Sequence, residues 1–358
     1  MILFISIFSV ISLLYTLWMV RQLDSEDNKN TESRAGYEPV SILIIVKNEL
    51  KNLQELIPVL MHQKFKVPYD IHLIDDHSDE DIPQWITSLS EKKIIYHRVP
   101  DSIPEGKKRA FQYALSLETH EIWLLTDADC TPASDEWIQS MYDRLDAHAA
   151  VLGYSPYTVT RGWLNKVIQL ETIYTAMLYF SYAIRGTAYM GVGRNILYRK
   201  KAFLQLNALR KYDHLLSGDD DLSINELARN QTIGIQLDPE SFMISAPKSS
   251  FAEWVHQKKR HVSTAKYYRV NHQISLALFY FSLIMSWVGV FYSLFVFPKF
   301  LILFLLCKLM NFFSFNHISR KRMHHSWYFL DWLIAEVIYI CTLIYISPFT
   351  MIKKVKKW

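Results

Sequence analysis

The feature that most constrains this chain is an uncharged segment at its start. Residues 2–20 carry no charged side chain, whereas residues 21–39 are polar and charged. An α-helix rises about 1.5 Å per residue, so a segment of this length can cross the roughly 30 Å hydrocarbon core of a bilayer. The basic stretch and the small-residue cleavage pattern of a removable signal peptide are both missing around it. We therefore predict a transmembrane anchor over residues 1–20 and a linker over residues 21–39.

The C-terminal region, residues 271–358, repeats the membrane signal. Its apolar stretches predict two or three further transmembrane helices, at about residues 274–297, 300–315 and 328–349. Pro298 and Lys299 separate the first two stretches, as in a tight helical hairpin. The third stretch contains Asp331 and Glu336, and carboxylates inside a bilayer are costly unless they face a partner or water. This third stretch is therefore predicted either to span the membrane or to lie partly at its interface.

Charge and cysteine content indicate which partners the protein binds and on which side of the membrane its main domain lies. The net charge is only +4, and basic residues cluster beside apolar segments, as at residues 320–322 and 353–357. Such clusters suit anionic lipid head groups, and we expect no nucleic-acid partner. Both clusters favour the cytoplasmic side, which they cannot share if the last apolar segment crosses once, so the topology there stays open. The three widely spaced cysteines form neither a disulfide framework nor a zinc pattern. We expect an integral protein of the cell or inner membrane whose main domain faces the cytoplasm.

Between the membrane segments, residues 40–270 alternate strand-like and helix-like patterns. Four short apolar runs predict strands, at residues 40–46, 71–74, 94–99 and 122–125. Apolar residues at helical spacing follow the first run, and a helix is also predicted over residues 109–117. Because the strands are almost continuously apolar and alternate with helices, the segment predicts an α/β domain with a mostly parallel sheet flanked by helices.

Polar and acidic residues follow three of the four predicted strands. They are Asn48 and Glu49 after the first, Asp75 and Asp76 after the second, and Asp127 and Asp129 after the fourth. In parallel sheets, ligands bind outside the carboxyl ends of the strands, so these side chains should meet at one edge. A single acidic pair could equally be a helix cap or a turn. Several carboxylates at one edge repel each other, however, unless a cation offsets their charge.

The spacing of Asp127 and Asp129 fits such a cation. Residues i and i+2 of an extended segment point the same way, so both carboxylates can reach one ion or its bound diphosphate. Carboxylate oxygens are the ligands of Mg²⁺ and Mn²⁺, whereas zinc prefers cysteine and histidine ligands in a spacing that is missing here. The sequence thus predicts a divalent cation, Mg²⁺ or Mn²⁺, at this edge.

Seven segments together resemble a known family. In order they are VSILIIVKNE, IHLIDDHSDE, EGKKRAFQYAL, LLTDADC, GVGRNILYRKKAF, SGDDDLSINELA and QKKRH. Over residues 40–270 the chain resembles the inverting family-2 glycosyltransferases, which have the GT-A fold and use nucleotide-sugar donors. The membrane-flanked layout further resembles members related to ceramide glucosyltransferase and to bacterial glycolipid or polysaccharide synthases. The resemblance implies a GT-A domain over residues 40–270, between N-terminal and C-terminal transmembrane helices.

The resemblance implies donor-side roles for several residues. Contacts to the nucleotide sugar are implied for Asn48, Glu49, Asp75, Asp76, Lys107, Asp127, Gln257 and Arg260. Asp127 and Asp129 are the D-x-D pair, and Asp129 is the better candidate for direct ligation of the metal. The cation would offset the charge of the nucleoside diphosphate as it leaves.

Inverting transfer also needs a general base that takes the proton of the acceptor hydroxyl. The resemblance locates it in the cluster 218–221, where the alignment favours Asp219 and a shift by one residue would select Asp220. Acidic residues at a helix start are also favoured by the helix dipole, so a purely structural role stays open. Acceptor-side roles are implied for Gly191, Gly193, Arg194 and His261. His261 stands where the family's Gln-x-x-Arg-Trp motif has Trp, whose ring would stack on a sugar, and this argues against a polysaccharide acceptor.

We therefore predict a membrane-bound, metal-dependent inverting glycosyltransferase of the hexosyltransferase type. It would move a single sugar from a UDP- or GDP-sugar to the hydroxyl of a lipid or lipid-linked acceptor. Two alternatives stay open: a processive polysaccharide synthase with the same edge, and a non-catalytic binding protein that keeps the fold. Product length would reveal the first alternative, and nucleotide binding without turnover the second.

Overall fold

The computed structural model describes residues 1–26, 36–204, 215, 218 and 220–352. Within those limits the chain divides into two compact units. The sheet unit comprises residues 36–158 and 182–247, and the helical unit comprises residues 1–26, 159–181 and 248–352. Parts of the predicted linker 21–39 and the basic segment 353–357 lie outside the described residues, and the predicted domain boundaries stay predictions.

A central sheet organises the sheet unit. Over the described residues it has seven strands, in the order β3 (Ile94–Arg98), β2 (Tyr69–Asp75), β1 (Val40–Val46), β4 (Ile122–Asp127), β7 (Ile196–Arg199), β6 (Ala150–Gly153) and β8 (Ile233–Gln236). The pairs among β3, β2, β1 and β4 are parallel, as is β6 with β8, whereas β7 is antiparallel to β4 and β6. A small second sheet pairs β5 (Cys130–Pro132) with β9 (Met243–Ser245). The predicted mostly parallel α/β fold is confirmed.

Short helices cover the sheet. In this unit they are α2 (Leu50–Met61), α3 (Ile82–Leu89), α4 (Lys107–Ala114), α5 (Trp137–Tyr142), α7 (Lys200–Leu204) and α8 (Asp221–Leu227). The apolar side chains of α2 recur at helical spacing and pack in one buried cluster with those of β1. Helix α3 begins where the Asp81 carboxylate accepts a 3.0 Å hydrogen bond from the Gln84 N–H. These helices leave the carboxyl edge of β1, β2 and β4 to the loops that carry the predicted site.

The helical unit contains long, mostly apolar helices and a shorter polar one. They are α1 (Ile2–Ser25), residues 163–181 of α6 (Trp163–Ile184), the shorter α9 (Phe251–Val262), α10 (Val270–Phe295), α11 (Leu301–Arg322) and α12 (Phe329–Ile352). Among the described residues, four helices are long and apolar enough to cross a membrane: Ile2–Ser25, Val270–Phe295, Pro298–Arg322 and Phe329–Ser347. The predicted N-terminal and C-terminal transmembrane helices are thus confirmed by their length and apolar composition. The chain is an integral membrane protein.

The two carboxylates of α12 have partners inside the helical unit. Asp331 forms an ion pair with Lys166 of α6 at 2.7 Å. Glu336 is fully buried, and one of its oxygens accepts a 2.6 Å hydrogen bond from Lys308 of α11. The other oxygen accepts a 2.7 Å hydrogen bond from the Tyr174 hydroxyl. These contacts are the compensation that a carboxylate in a transmembrane helix requires.

Candidate active site

The loops that follow β1 and β2 are tied to each other at the carboxyl edge of the sheet. Asn48 adopts a positive φ of 54°, a conformation that Asn tolerates better than most residues. Its backbone N–H donates to the Ser78 hydroxyl at 2.9 Å, and its side-chain oxygen accepts from the Asp79 N–H at 2.8 Å. Asn48 thereby fixes the shape of the first two loops of the predicted site.

The acidic pair at the end of β2, where Asp75 is the last residue of the strand and Asp76 follows it, is buried and fully engaged in hydrogen bonds. Asp75 accepts from the Tyr96 hydroxyl at 2.5 Å and from Arg98 at 3.0 Å. Burial raises the pKa of Tyr96 to about 12, and the hydrogen bond to the Asp75 carboxylate adds to this rise. Asp76 accepts from the Gly106 N–H, with its two oxygens at 2.9 and 3.2 Å. Asp76 therefore anchors the residue from which α4 begins.

The first turn of α4 places the positively charged Lys107 side chain beside the D-x-D pair. Lys107 donates to the Asp127 carboxylate at 2.5 Å. A cleft opens beside this ion pair, with about 360 Å³ of empty space that includes open solvent. Apolar side chains of β1, β4 and α4 line one part of it, and its polar lining consists of Lys107, Thr126, Asp127, Gly193 and Asp220.

The D-x-D pair contributes to a candidate metal centre. Ligand atoms of Asp127, Asp129 and Cys130 all lie within 4.8 Å of one another, and Asp129 is exposed. The Cys130 sulfur lies 3.4 Å from the Asp129 carboxylate. Burial raises the pKa of the Cys130 thiol far above its usual range, and the charge of Asp127 adds to this rise. The thiol is therefore neutral near pH 7, and the two carboxylates are the charged donors of this group.

The electrostatics of Glu49 also fit a cation at this edge. Burial raises the pKa of Glu49, and the negative charges of Asp129, Glu80 and Asp127 raise it further. A divalent ion near the D-x-D pair would relieve this repulsion, and carboxylate oxygens are the donors that Mg²⁺ and Mn²⁺ prefer. The donor set thus fits the predicted ion, whose identity stays a prediction.

The acceptor loop, as we name residues 191–195 after the predicted acceptor residues Gly191, Gly193 and Arg194 in it, is held by Asp220. The Gly193 N–H donates to the Asp220 carboxylate at 2.8 Å, and the other Asp220 oxygen accepts from the Asp221 N–H at 2.8 Å, capping α8. A Cβ atom at Gly191 would lie 2.7 Å from the end of the Ile196 side chain, so any larger residue there would have to displace that side chain. One carboxylate therefore both begins a helix and holds a loop of the cleft.

The next two residues of this loop point into the protein. Arg194 donates to the Ser155 carbonyl at 2.8 Å and to the Tyr157 hydroxyl at 3.2 Å, and its guanidinium lies over the Tyr157 ring. Burial alone would lower the pKa of Arg194, but Tyr157, Cys130 and Asp127 raise it above its usual value, so the side chain stays charged. Asn195 is buried and accepts from the Trp137 indole N–H at 2.9 Å.

The structure brings most of the predicted site residues together in the sheet unit. Lys107, Asp127, Gly193 and Asp220 line one cleft, and Asp129 adjoins Asp127. Gln257, Arg260 and His261 lie on α9 of the helical unit, and Asp219 lies outside the described residues. The individual roles of all these residues stay predictions.

Two residues near the site had no predicted role. Cys130 belongs to the candidate metal group, and its only signal in the sequence is its position next to Asp129. Asn195 supports the acceptor loop from inside the protein, and its side chain also donates to the carbonyls of Tyr154 and Ser241 at 2.9 Å. In the sequence, a polar residue that follows two glycines and an arginine gives no sign of such burial.

Comparisons with known proteins yield matches in sequence and in fold. Residues 41–206 match the model of glycosyl transferase family 2. The mannosyltransferase PcManGT from Pyrobaculum calidifontis, described in complex with GDP-Man and Mn²⁺, is similar with a TM-score of 0.61 at 14% identity, over 94% of this chain and 99% of that chain. TarS 1–349 from S. aureus, described in complex with UDP-GlcNAc, reaches a TM-score of 0.42 at 16% identity, over 87% of this chain and 90% of that chain. No curated protein matches the sequence.

Proposed function

Residues 41–206 form a glycosyltransferase family 2 domain of the GT-A fold, and from this premise we propose a specific reaction. The protein is a metal-dependent inverting glycosyltransferase that moves a single sugar from a nucleotide sugar to the hydroxyl of a lipid or lipid-linked acceptor. One observation carries the proposal: Lys107, Asp127, Gly193 and Asp220 line one cleft at the carboxyl edge of the sheet.

The proposed reaction is a single displacement. The acceptor hydroxyl oxygen attacks the anomeric carbon of the donor sugar, while the bond from that carbon to the diphosphate oxygen breaks. A carboxylate of the cluster 218–221 takes the hydroxyl proton, as general base catalysis requires. In this proposal Lys107 offsets the negative charge of the leaving diphosphate, and Gln257 and Arg260 hold the diphosphate by hydrogen bonds, of which Arg260 can make two in parallel.

Asp127 and Asp129 would hold the divalent cation. When bound, the ion acts as a Lewis acid that stabilises the nucleoside diphosphate leaving group. Because the similar mannosyltransferase is described with GDP-Man and Mn²⁺, GDP-sugars and Mn²⁺ are the first donor and ion to test, followed by UDP-sugars and Mg²⁺.

Two observations support a lipid acceptor. Among the residues that the structure describes, four helices are long and apolar enough to cross a membrane, so an acceptor anchored in the bilayer is within reach of the protein. His261 stands in place of the stacking Trp that would favour a growing polysaccharide. A lipid or lipid-linked hydroxyl is therefore the acceptor class that we propose.

The catalytic domain faces the cytoplasm in this proposal. Arg322 donates to the Leu23 carbonyl at 3.0 Å, and Lys321 pairs with Asp24 at 2.6 Å, so the ends of α11 and α1 meet. Three basic residues at 320–322 favour the cytoplasmic side, and the sheet unit follows α1 in sequence. Protease added to sealed right-side-out vesicles should leave the sheet unit intact, and cleavage there would contradict this orientation.

The reaction can be tested with the full chain in detergent or nanodiscs. The purified protein is incubated with GDP- and UDP-sugars, Mn²⁺ or Mg²⁺ and a native lipid extract, and mass spectrometry identifies the glycosylated product. We expect transfer by the wild type and a loss of at least about 100-fold in Asp129→Ala, because the charge of the leaving group is no longer offset.

The matched control is Asp135→Ala, which removes an exposed carboxylate that pairs with Lys64 at the surface. It should keep wild-type activity. Wild type and Asp129→Ala with equal activity, or no transfer by the wild type from any donor in the panel, would contradict the proposal. A polymer as product would instead indicate a processive synthase.

A further inference from the structure

Arg98 ends β3 at the carboxyl edge of the sheet and is held there by a buried carboxylate. In the parallel register of β2 and β3 it stands beside Asp75, and its Nη1 donates to that carboxylate at 3.0 Å. The same nitrogen donates to the Ser78 carbonyl at 3.0 Å. Asp75 is fully buried and also accepts from the Ser78 N–H at 2.8 Å and from the Tyr96 hydroxyl. The guanidinium therefore has a defined position beside the loop that follows β2.

The guanidinium of Arg98 can donate further hydrogen bonds. An arginine side chain carries five N–H groups in a planar fork, and the two contacts above use those of Nη1. The side chain is 46% exposed, although the carboxylate that holds it is fully buried. Arg98 is therefore an accessible cation whose orientation is already fixed, so little ordering entropy is lost when a ligand binds to it.

The strand order places Arg98 on the nucleoside side of the proposed donor site. In the proposed function the diphosphate lies at Asp127, at the end of β4, and the sugar meets the acceptor beside Gly193 and Asp220, near the start of β7. The diphosphate joins the sugar to the nucleoside, so the nucleoside extends the other way, over β1, β2 and β3. Neighbouring strands are about 4.8 Å apart, so β3 lies roughly 14 Å from β4, about the length of an extended nucleoside diphosphate. The base therefore comes to lie near Arg98.

The fork of an arginine matches guanine better than the other bases. Guanine presents two neighbouring acceptors, O6 and N7, to which an arginine can donate two hydrogen bonds at once. On the corresponding edge uracil presents a single acceptor atom, O4, and adenine pairs its N7 acceptor with an amino group that donates. An arginine at this position therefore favours guanine.

We propose that Arg98 selects the base of the donor and that the donor is a guanosine diphosphate sugar: the guanidinium, oriented by Asp75, donates to O6 and N7 of guanine. This inference rests on the proposed function, which locates the diphosphate at Asp127. It narrows the donor class from UDP- or GDP-sugars to GDP-sugars.

The test measures the binding of GDP, UDP and 7-deaza-GDP to the full chain in detergent by calorimetry with Mn²⁺ present. In 7-deaza-GDP a C–H group replaces the N7 acceptor. The wild type should bind GDP at least about tenfold more tightly than UDP and about tenfold more tightly than 7-deaza-GDP, because each comparison removes one hydrogen bond to Arg98. In Arg98→Met, GDP and 7-deaza-GDP should have the same Kd, and the Kd of UDP should rise by no more than about threefold.

Two further variants separate base recognition from support of the loop. Arg98→Lys keeps a positive charge beside Asp75 but lacks the fork, and it should bring the Kd values of GDP and 7-deaza-GDP to within about threefold of each other. If Arg98→Met does not fold, Arg98→Lys decides by this threshold. The matched control is Arg199→Met, which removes an arginine paired with Glu38 at the opposite edge of the sheet, beside Ile122 at the start of β4. It should leave all three Kd values unchanged.

Two results would overturn the inference and leave the proposed function intact. One is a wild type that binds UDP more tightly than GDP, or 7-deaza-GDP as tightly as GDP. The other is a loss by the same factor for all three nucleotides in both Arg98 variants, which would mean that Arg98 only compensates the charge of Asp75. If the wild type binds none of the three nucleotides, the proposed function itself fails, and the inference fails with it.

Discussion

Both carboxylate oxygens of Asp220 already accept hydrogen bonds from backbone N–H groups. One holds Gly193 of the acceptor loop, and the other caps α8 at Asp221. A general base must lie within hydrogen-bonding reach of the proton that it takes. A carboxylate whose two oxygens are held by backbone N–H groups is less free to turn toward an acceptor hydroxyl. Of the two candidate bases, Asp219 is therefore the one that we propose, and Asp220 is proposed to position the loop.

Substitutions at these two neighbouring residues test the assignment. Asp219→Asn should lower kcat by about 100-fold or more, because it removes the base. Asp220→Asn should lower it by no more than about tenfold, because an amide oxygen can still accept from Gly193. Steady-state transfer kinetics with a saturating donor measure both. A larger loss in Asp220→Asn than in Asp219→Asn would reverse the assignment.

At the scale of elements, the end of the sheet away from the cleft holds a cluster of titratable groups. His72 of β2 lies 2.9 Å from His97 of β3 through ring nitrogens, and its other nitrogen lies 3.1 Å from Asp70. His120, just before β4, also contacts Asp70, at 3.1 Å. Burial lowers the pKa of His97, and the nearby charge of His72 lowers it further, while Asp70 opposes the shift.

The lowered pKa of His97 predicts a pH dependence of stability. Folding favours the neutral imidazole, so the unfolded chain binds more protons below the ordinary value of 6.5. The stability due to His97 is complete above pH 6.5. It is lost as the pH falls from there through the lower pKa of the folded state. Burial alone would raise the pKa of Asp70, but its hydrogen bonds with His72 and Ser41 lower it below the ordinary value of 3.8. Protonation of Asp70 therefore changes the stability only below that pH, outside the range in which His97 titrates.

Thermal unfolding of the full chain in detergent measures the effect. Between pH 7 and 5, the apparent Tm of the wild type should fall more steeply than that of His97→Gln, which has no titrating group at this position. Tm curves of equal slope for the two proteins would show that His97 does not contribute.

At the scale of the whole molecule, one carboxylate joins four helices of the helical unit. Glu336 of α12 accepts hydrogen bonds from Tyr174 of α6, from Trp287 of α10 at 2.6 Å and from Lys308 of α11. The Lys308 ammonium also lies over the Trp287 ring, 4.6 Å from its centre. A charged pair enclosed in this way holds α6 and three of the four candidate membrane helices in one arrangement.

Breaking this pair should destabilise the protein strongly. Glu336→Leu leaves Lys308 buried without its counter-charge and should cost about 3–5 kcal/mol of unfolding free energy. Glu336→Leu combined with Lys308→Met should cost clearly less than the two single changes added together, because no lone charge remains. Thermal unfolding in detergent measures all three variants. Strictly additive losses would contradict the coupling.

Part of this molecule could be predicted from local sequence alone. The apolar run of β1 ends at Val46 as predicted, and the acidic residues at the ends of β2 and β4 lie at the carboxyl edge of the sheet. The long apolar stretches predicted the helices that can cross a membrane. Such features depend on the spacing of apolar and charged residues along a few turns or strands, so neighbours in the chain determine them.

The partners of the buried polar groups were decided only by the tertiary structure. Asp220 meets Gly193 across 27 positions of the chain, Lys308 meets Glu336 across 28, and Lys258 pairs with Glu171 of a helix that no motif marks. Each group must find a hydrogen bond or a counter-charge when it is buried, but which group supplies it depends on which elements pack together. The sequence determined the kind of site and its edge of the sheet, and packing determined which side chains hold it in shape.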